Sequence, residues 1–154
     1  MAEIAILTSA FVMSVLSGLV PFVNAEVLVA GAAVAAPTAL VAPVIVACSA
    51  GQIVAKVGLY AGARWLPERL PAKARERLEA ASQRTKRLEG AGFTLVLVSA
   101  IVGLPPFYLI SLAAGALRMS LTWFIIVGLV GRGVRFAVIG YSAVAAGSAI
   151  HGAL

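Results

Sequence analysis

Three ionisable residues stand out because the chain around them carries so little charge. Glu26 lies among apolar residues near the start, and Arg132 and Arg135 lie near the middle of an apolar stretch running from Leu121 to about Ile150. If those stretches sit in a membrane, each charge is expensive there and is a functional candidate by default. The two arginines are three residues apart and so share one face of a helix. A guanidinium donates two parallel hydrogen bonds in a planar fork, the geometry that suits a phosphate. Glu26 follows Asn24 by two residues at the start of a short helical run, where the positive end of a helix suits an acidic side chain. A pair between Glu26 and either Arg132 or Arg135 could bind or couple a substrate, or could simply lock two halves of the chain together. Asn24 and Gln52 could line a polar cavity or satisfy broken backbone. Lys56 could face that cavity or snorkel to the surface. Catalysis by side chains is not expected. One histidine, His151, and one cysteine, Cys48, cannot build a nucleophile–base pair or a metal site, and no phosphate-binding loop or cofactor motif is present. Cys48 reads as a small buried hydrophobe.

Composition favours the membrane. The 154 residues are 62% hydrophobic and 12% charged, with six glutamates and no aspartate, against about 45–50% and about 25% in ordinary soluble domains. Twelve Lys and Arg give a net charge of +6. Eight of them fall between Arg64 and Arg87, which points to anionic lipid headgroups. Nucleic acid is not an expected partner, because no array of basic and stacking aromatic residues occurs. The segment Ile4 to Val20 has no positive region before it and is expected to remain in the mature protein.

The elements that must position these charges form two similar halves. Gly18-Leu19-Val20-Pro21-Phe22 recurs as Gly103-Leu104-Pro105-Pro106-Phe107, and each copy interrupts an apolar stretch. Hydrocarbon tolerates such a break only where its backbone groups find partners in protein or in a cavity, and matched breaks in duplicated halves point to a binding site. After each break the apolar run is short: Ala25 to Ala36 before Pro37, and Phe107 to Leu117. Neither can cross a hydrocarbon core of about 30 Å. A crossing helix is expected over Ala39 to Ala63 and another from Leu121. The expected fold is therefore all-α and integral to the membrane, a single domain over 1–154. Repeat one covers 4–63, an amphipathic linker helix 64–90, and repeat two 91–150. Each repeat is a re-entrant hairpin followed by a crossing helix. Whether 4–20 is a hairpin leg or a full span is open at this stage. Counting crossings inverts the halves, with hairpin tips at Pro21-Phe22 and Pro105-Pro106-Phe107 approaching from opposite faces. The basic linker is expected to be cytoplasmic and both termini external. Gly58 and Gly62, spaced Gly-x-x-x-Gly, permit a homodimer. Tyr60, Trp65, Tyr108 and Trp123 are expected interface anchors.

The segment Pro21-Phe22-Val23-Asn24-Ala25-Glu26 resembles the hairpin tip of the DedA family, also called the VTT or SNARE-associated membrane domain. A closer similarity runs from Leu112 through Gly115, Arg118 and Met119 to Phe124, the positions of that family's "LAG…RM….F" signature. Gly51-Gln52 stands where the family has a Gly-Asp pair, and Gly131-Arg132-Gly133 is similar to its Gly-Arg element. The resemblance implies two opposed re-entrant hairpins and movement of a lipid between leaflets. The lipid would be undecaprenyl phosphate or a phospholipid, in a bacterial plasma membrane. Three departures bear on proton coupling and on the undecaprenyl substrate. The family's paired arginines around the second tip are missing, with Ser99 and Pro105 near those places, Gln52 replaces an acid, and Lys56 sits where an aromatic is usual. No counterpart of the family's extra N-terminal span is expected among these residues.

The reading that follows is a transporter of a phosphate-bearing lipid, with membrane lipids and protons as its partners and no cofactor. Two rivals remain: an ion-coupled exporter of small amphipathic solutes using Glu26, and a non-transporting biogenesis factor using the linker charges Lys73, Arg75, Arg77, Arg84, Lys86 and Arg87.

Overall fold

A computed structural model describes residues 1–20, 24–65, 72, 76, 89–104 and 106–152, and all their regular structure is helical. Helix α1 spans Ala2–Leu19 and α2 spans Ala25–Ala35. Both end for the same local reason. Val20 and Ala36 turn extended, at φ −97°, ψ 110° and φ −81°, ψ 146°, and each precedes a proline, which disfavours the helical region in the residue before it. The Asn24 side chain caps α2 by accepting from the Glu26 amide at 2.9 Å, satisfying one of the orphan donors of a helix start. A single turn of 3₁₀ helix, Thr38–Leu40, leads into α3, Val41–Trp65. Pro43 sits in the first turn of α3, where a missing N–H costs nothing. Beyond the linker lie α4 (Glu89–Val102), α5 (Phe107–Ala116) and α6 (Leu121–Gly152).

Lengths sort these helices. Three of them are long and apolar enough to cross a membrane: Ala2–Leu19, the stretch Thr38–Trp65 and Leu121–Ala149. At 11 and 10 residues, α2 and α5 are only about 16 and 15 Å long at 1.5 Å per residue. The helix ends differ modestly from expectation. The first crossing helix runs two residues past Ala63 and takes in Arg64 and Trp65. The last extends to Gly152, and α4 begins at Glu89, inside the expected linker. The expected amphipathic linker helix falls on residues of which, between 66 and 88, only Ala72 and Glu76 are described.

The chain divides into two compact units that do not follow the repeats: residues 1–55 with 132–154, and residues 56–131. The first unit contains α1, α2, the first part of α3 and the later part of α6. Its core gathers Ala10, Val29, Ala33, Val41, Val44, Ile45, Cys48 and Phe136. Helices α1 and α2 pack against each other, and α1 also lies tight on α3. A methyl group on Gly51 would fall 2.5 Å from the Phe11 carbonyl oxygen and 3.0 Å from Ser14 Cβ. Only glycine allows that approach.

The second unit contains the end of α3, α4, α5 and the start of α6, with α4 packed on α5. Its core is aromatic. Phe124 stacks on Tyr60 at 5.3 Å between ring centroids and on Phe107 at 5.9 Å, and Phe93 tilts against Trp123 at 6.1 Å. Such offset pairs add roughly 0.5–1.5 kcal/mol each beyond the area they bury. Here Gly131 plays the part that Gly51 plays in the first unit, since a methyl on it would lie 2.5 Å from Ala100 Cβ of α4.

Candidate functional site

Glu26 is the second residue of α2, and its carboxylate faces α6. Arg135 Nε donates to Glu26 Oε1 at 3.1 Å, and Arg135 Nη2 donates to the same oxygen. The sequence left two arginines as partners, and the structure brings Arg135 to the acid. The Arg135 side chain is 18% exposed and that of Glu26 42%, so the pair reaches the surface of its unit. Arg132, one turn earlier on α6, is buried, and its guanidinium carbon lies 5.7 Å from the Phe136 ring centroid. Asn24 is exposed and serves as the α2 cap.

Gln52 lies in the same unit, fully engaged between α3 and α1. Its Nε2 donates to Ser17 Oγ at 2.7 Å and to the Ser14 carbonyl at 3.2 Å, while Ser14 Oγ donates to the Cys48 carbonyl at 2.6 Å. Gln52, Ser14 and Ser17 are all buried. The amide thus straps α1 to α3 with N–H donors that an ionised carboxylate lacks. Sequence reasoning missed both serines. The signal was present: Ser14 stands four residues before Gly18 as Ser99 stands four before Gly103, and both serines are fully buried.

Lys56 belongs to the second unit. It is buried, and its Nζ lies 5.6 Å from the centroid of the Tyr108 ring, so it does not snorkel to the helix end. Tyr108 is the second residue of α5, as Glu26 is of α2. At each short helix, then, the second residue meets a cation from a long one.

The hairpin-tip residues Pro21, Phe22 and Pro105 lie outside the described residues. Pro106 caps α5, with its carbonyl accepting from the Leu109 amide at 2.9 Å. Phe107 is buried against Phe124.

Gly115, Arg118, Met119 and Phe124 converge on a single feature, the end of α5 on α3. The Met119 amide bonds the Ala114 carbonyl and the Arg118 amide bonds the Gly115 carbonyl, both at 3.0 Å. This is a Schellman cap with Arg118 in its left-handed position, at φ 54°. The Met119 carbonyl accepts from the Tyr60 hydroxyl, and Arg64 Nη1 donates to that hydroxyl at 2.6 Å. Gly115 lies directly on the Tyr60 backbone, where a Cβ could not fit. Tyr60, expected as an interface anchor, is instead 1% exposed, because the α5 cap needs its hydroxyl. Gly31 and Gly115, similarly placed after the two breaks, are not equivalent in packing. Nothing lies within 4 Å of where a Gly31 side chain would begin.

Long apolar helices, short helices that start at proline-containing breaks, and charges inside the spans define an integral membrane protein. A family model for the VTT domain matches residues 20–144, and the chain belongs to that family. Comparison with curated proteins and with solved structures gives no match.

Proposed function

We propose that the chain moves a phosphate-bearing lipid between the leaflets of a bacterial plasma membrane, in a cycle coupled to protons. The observation that carries this reading is the ion pair between Glu26, at the start of a short helix, and Arg135, inside a spanning one. Helix α2 is too short to return from the far surface of a core of about 30 Å, while α3 must begin near a surface in order to cross. The turn before α2 therefore falls within the bilayer in this reading, and α1–α2 is a re-entrant hairpin; α4–α5 is read in the same way. Glu26 then stands at depth.

The chemistry is an exchange of anions. At rest the Glu26 carboxylate occupies Arg135. Protonation of Glu26 removes the competing charge, and a lipid phosphate takes the guanidinium in its place, with Arg132 one turn away to share it. Loss of the proton returns Arg135 to Glu26 and releases the phosphate. The lipid tails stay in the bilayer throughout.

The test is translocation of a fluorescent phospholipid, and of a polyprenyl phosphate, in vesicles containing the purified protein. The wild type is expected to equilibrate one of them between leaflets. Arg135→Gln should slow it by at least tenfold, and Glu26→Gln should remove its dependence on pH. Vesicles that keep their lipid asymmetry with wild-type protein present would end this reading. Solute export that tolerates Arg135→Gln would favour the exporter instead. Loss of function only on neutralising the linker would favour the biogenesis factor.

A further inference from the structure

Helices α1 and α2 pack against each other inside the first unit, yet a groove of about 280 Å³ runs between them. Ile6 and Met13 mark its reach on α1, and Leu28 and Ala36 its reach on α2, a length of about 12 Å at 1.5 Å per residue. Its volume over that length gives a cross-section on the order of 25 Å². An α-helix about 10–12 Å across needs roughly 80–110 Å². The walls include the small residues Ser9, Ala32 and Ala35. Ser9, the one polar side chain among the described residues of the lining, donates its hydroxyl to the Ile6 carbonyl of its own helix at 2.9 Å. Leu28, Ala32 and Ala35 lie about 180–240° round α2 from Glu26, at about 100° per residue. The groove is therefore on the opposite side of α2 from the ion pair.

From this geometry we infer that the groove seats one linear hydrocarbon chain of a membrane lipid, at a site separate from Glu26 and Arg135. Helix α1 is long and apolar enough to cross a membrane, and Ile6 to Met13 lies within it. Ser9, Met13 and Ala35 are exposed, so the groove opens outward onto hydrocarbon. An unfilled slot there forfeits dispersion contacts for every atom that lines it. A lipid chain lying on a plain helix face touches it on one side only, whereas a chain in the groove meets both helices and gains contacts with each. That difference makes a site out of a surface. A helix of a second copy is too thick to enter and would rest on the rim, leaving the slot empty. The small walls suit an unbranched chain, which has no side groups to accommodate. The inference needs only that α1 lie in hydrocarbon, so it stands or falls independently of lipid translocation.

The experiment is photocrosslinking in vesicles of phosphatidylcholine that carries a diazirine on one acyl chain, with the adducts mapped by mass spectrometry. In the wild type, adducts on Ile6, Met13 and Leu28 should exceed those on Val12, Leu16, Val27 and Val34 at least threefold. The latter four are exposed on the same two helices and lie outside the groove. Ser9→Leu and Ala35→Leu fill the groove from opposite walls at exposed positions, and each should bring that ratio close to one. Val27→Leu adds bulk off the groove and should leave it unchanged. A wild-type ratio near one would overturn the proposal, because lipid would then bathe the groove no differently from the rest of the hairpin. A raised ratio that survives both Ser9→Leu and Ala35→Leu would overturn it too, since the excess would not come from the groove. If groove adducts are absent and Ser9→Cys oxidises to a disulfide-linked dimer, the occupant is a second copy and the lipid assignment fails. A wild type that shows the groove adducts but moves no lipid would refute translocation and leave this site standing.

Discussion

Gln52 shows at the scale of one residue what a sequence leaves open. A polar side chain in an apolar helix either lines a cavity or satisfies backbone, and the choice depends on what the neighbouring helix presents. Here α1 presents Ser17 Oγ and the Ser14 carbonyl, so the amide donates to both. Gln52→Glu would put a carboxylate against those oxygens and should lower stability by about 1–3 kcal/mol, the cost of unsatisfied buried groups. A thermal unfolding midpoint no lower than that of the wild type would show that the strap contributes nothing. Arg118 is the opposite case, an exposed side chain whose backbone matters more than its head. Its left-handed φ costs a non-glycine residue roughly 1–2 kcal/mol. Part of that is lost again to the freedom of glycine when unfolded. Arg118→Gly should therefore raise the unfolding midpoint, and a fall would mean that the guanidinium has a role the cap does not explain. For Glu26 and Arg135 a double-mutant cycle is the proper measure. Each substitution to Gln should cost on the order of 1 kcal/mol, the typical value for a hydrogen-bonded pair reduced for its exposure, and the double variant should cost clearly less than the sum.

At the scale of elements, glycines decide how closely helices approach. Gly51 presses on α1 and Gly131 on α4, and each leaves no room for a Cβ. Gly51→Ala or Gly131→Ala should lower the unfolding midpoint by several degrees and reduce monodispersity in detergent. Gly58→Ala and Gly62→Ala meet nothing within 4 Å and should be tolerated by the monomer. If the Gly58 and Gly62 variants instead lose a dimer on a sizing column, the open face of α3 is where copies meet. Helix ends were legible in the chain where proline set them, at Val20 and Ala36, because that restriction is local. They were less legible at Trp65, Glu89 and Gly152. No proline marks the ends at Glu89 and Gly152, whereas Pro67 stands two residues past Trp65 and was overlooked as the signal for that end.

At the scale of the whole molecule, sidedness in the membrane is the property that most needs measurement. Cys48 is fully buried, so a membrane-impermeant maleimide should leave the wild type unlabelled. Ala2→Cys and Glu76→Cys, both at exposed positions, should then label from opposite sides of the membrane, with residue 76 on the cytoplasmic side. Labelling of both from one side would mean that an even number of crossings separates them and would remove the re-entrant reading of α1–α2. Much of the molecule was written in the chain: the apolar runs, the matched breaks, the two short helices, the family signature and the isolation of Glu26 and Arg135 as charges in apolar stretches. Each depends on composition or on neighbours within a few residues, and hydrophobic patterning and proline act at that range. The choice of Arg135 as the partner of Glu26, 109 residues away, needed the fold. So did the move of Tyr60 from an expected surface anchor to the buried lock of the α5 cap, the tie between Gln52 and two serines, and the meeting of Lys56 with Tyr108. In lipid a polar group must find its partner inside the protein, and which helix supplies that partner is fixed only when the helices pack.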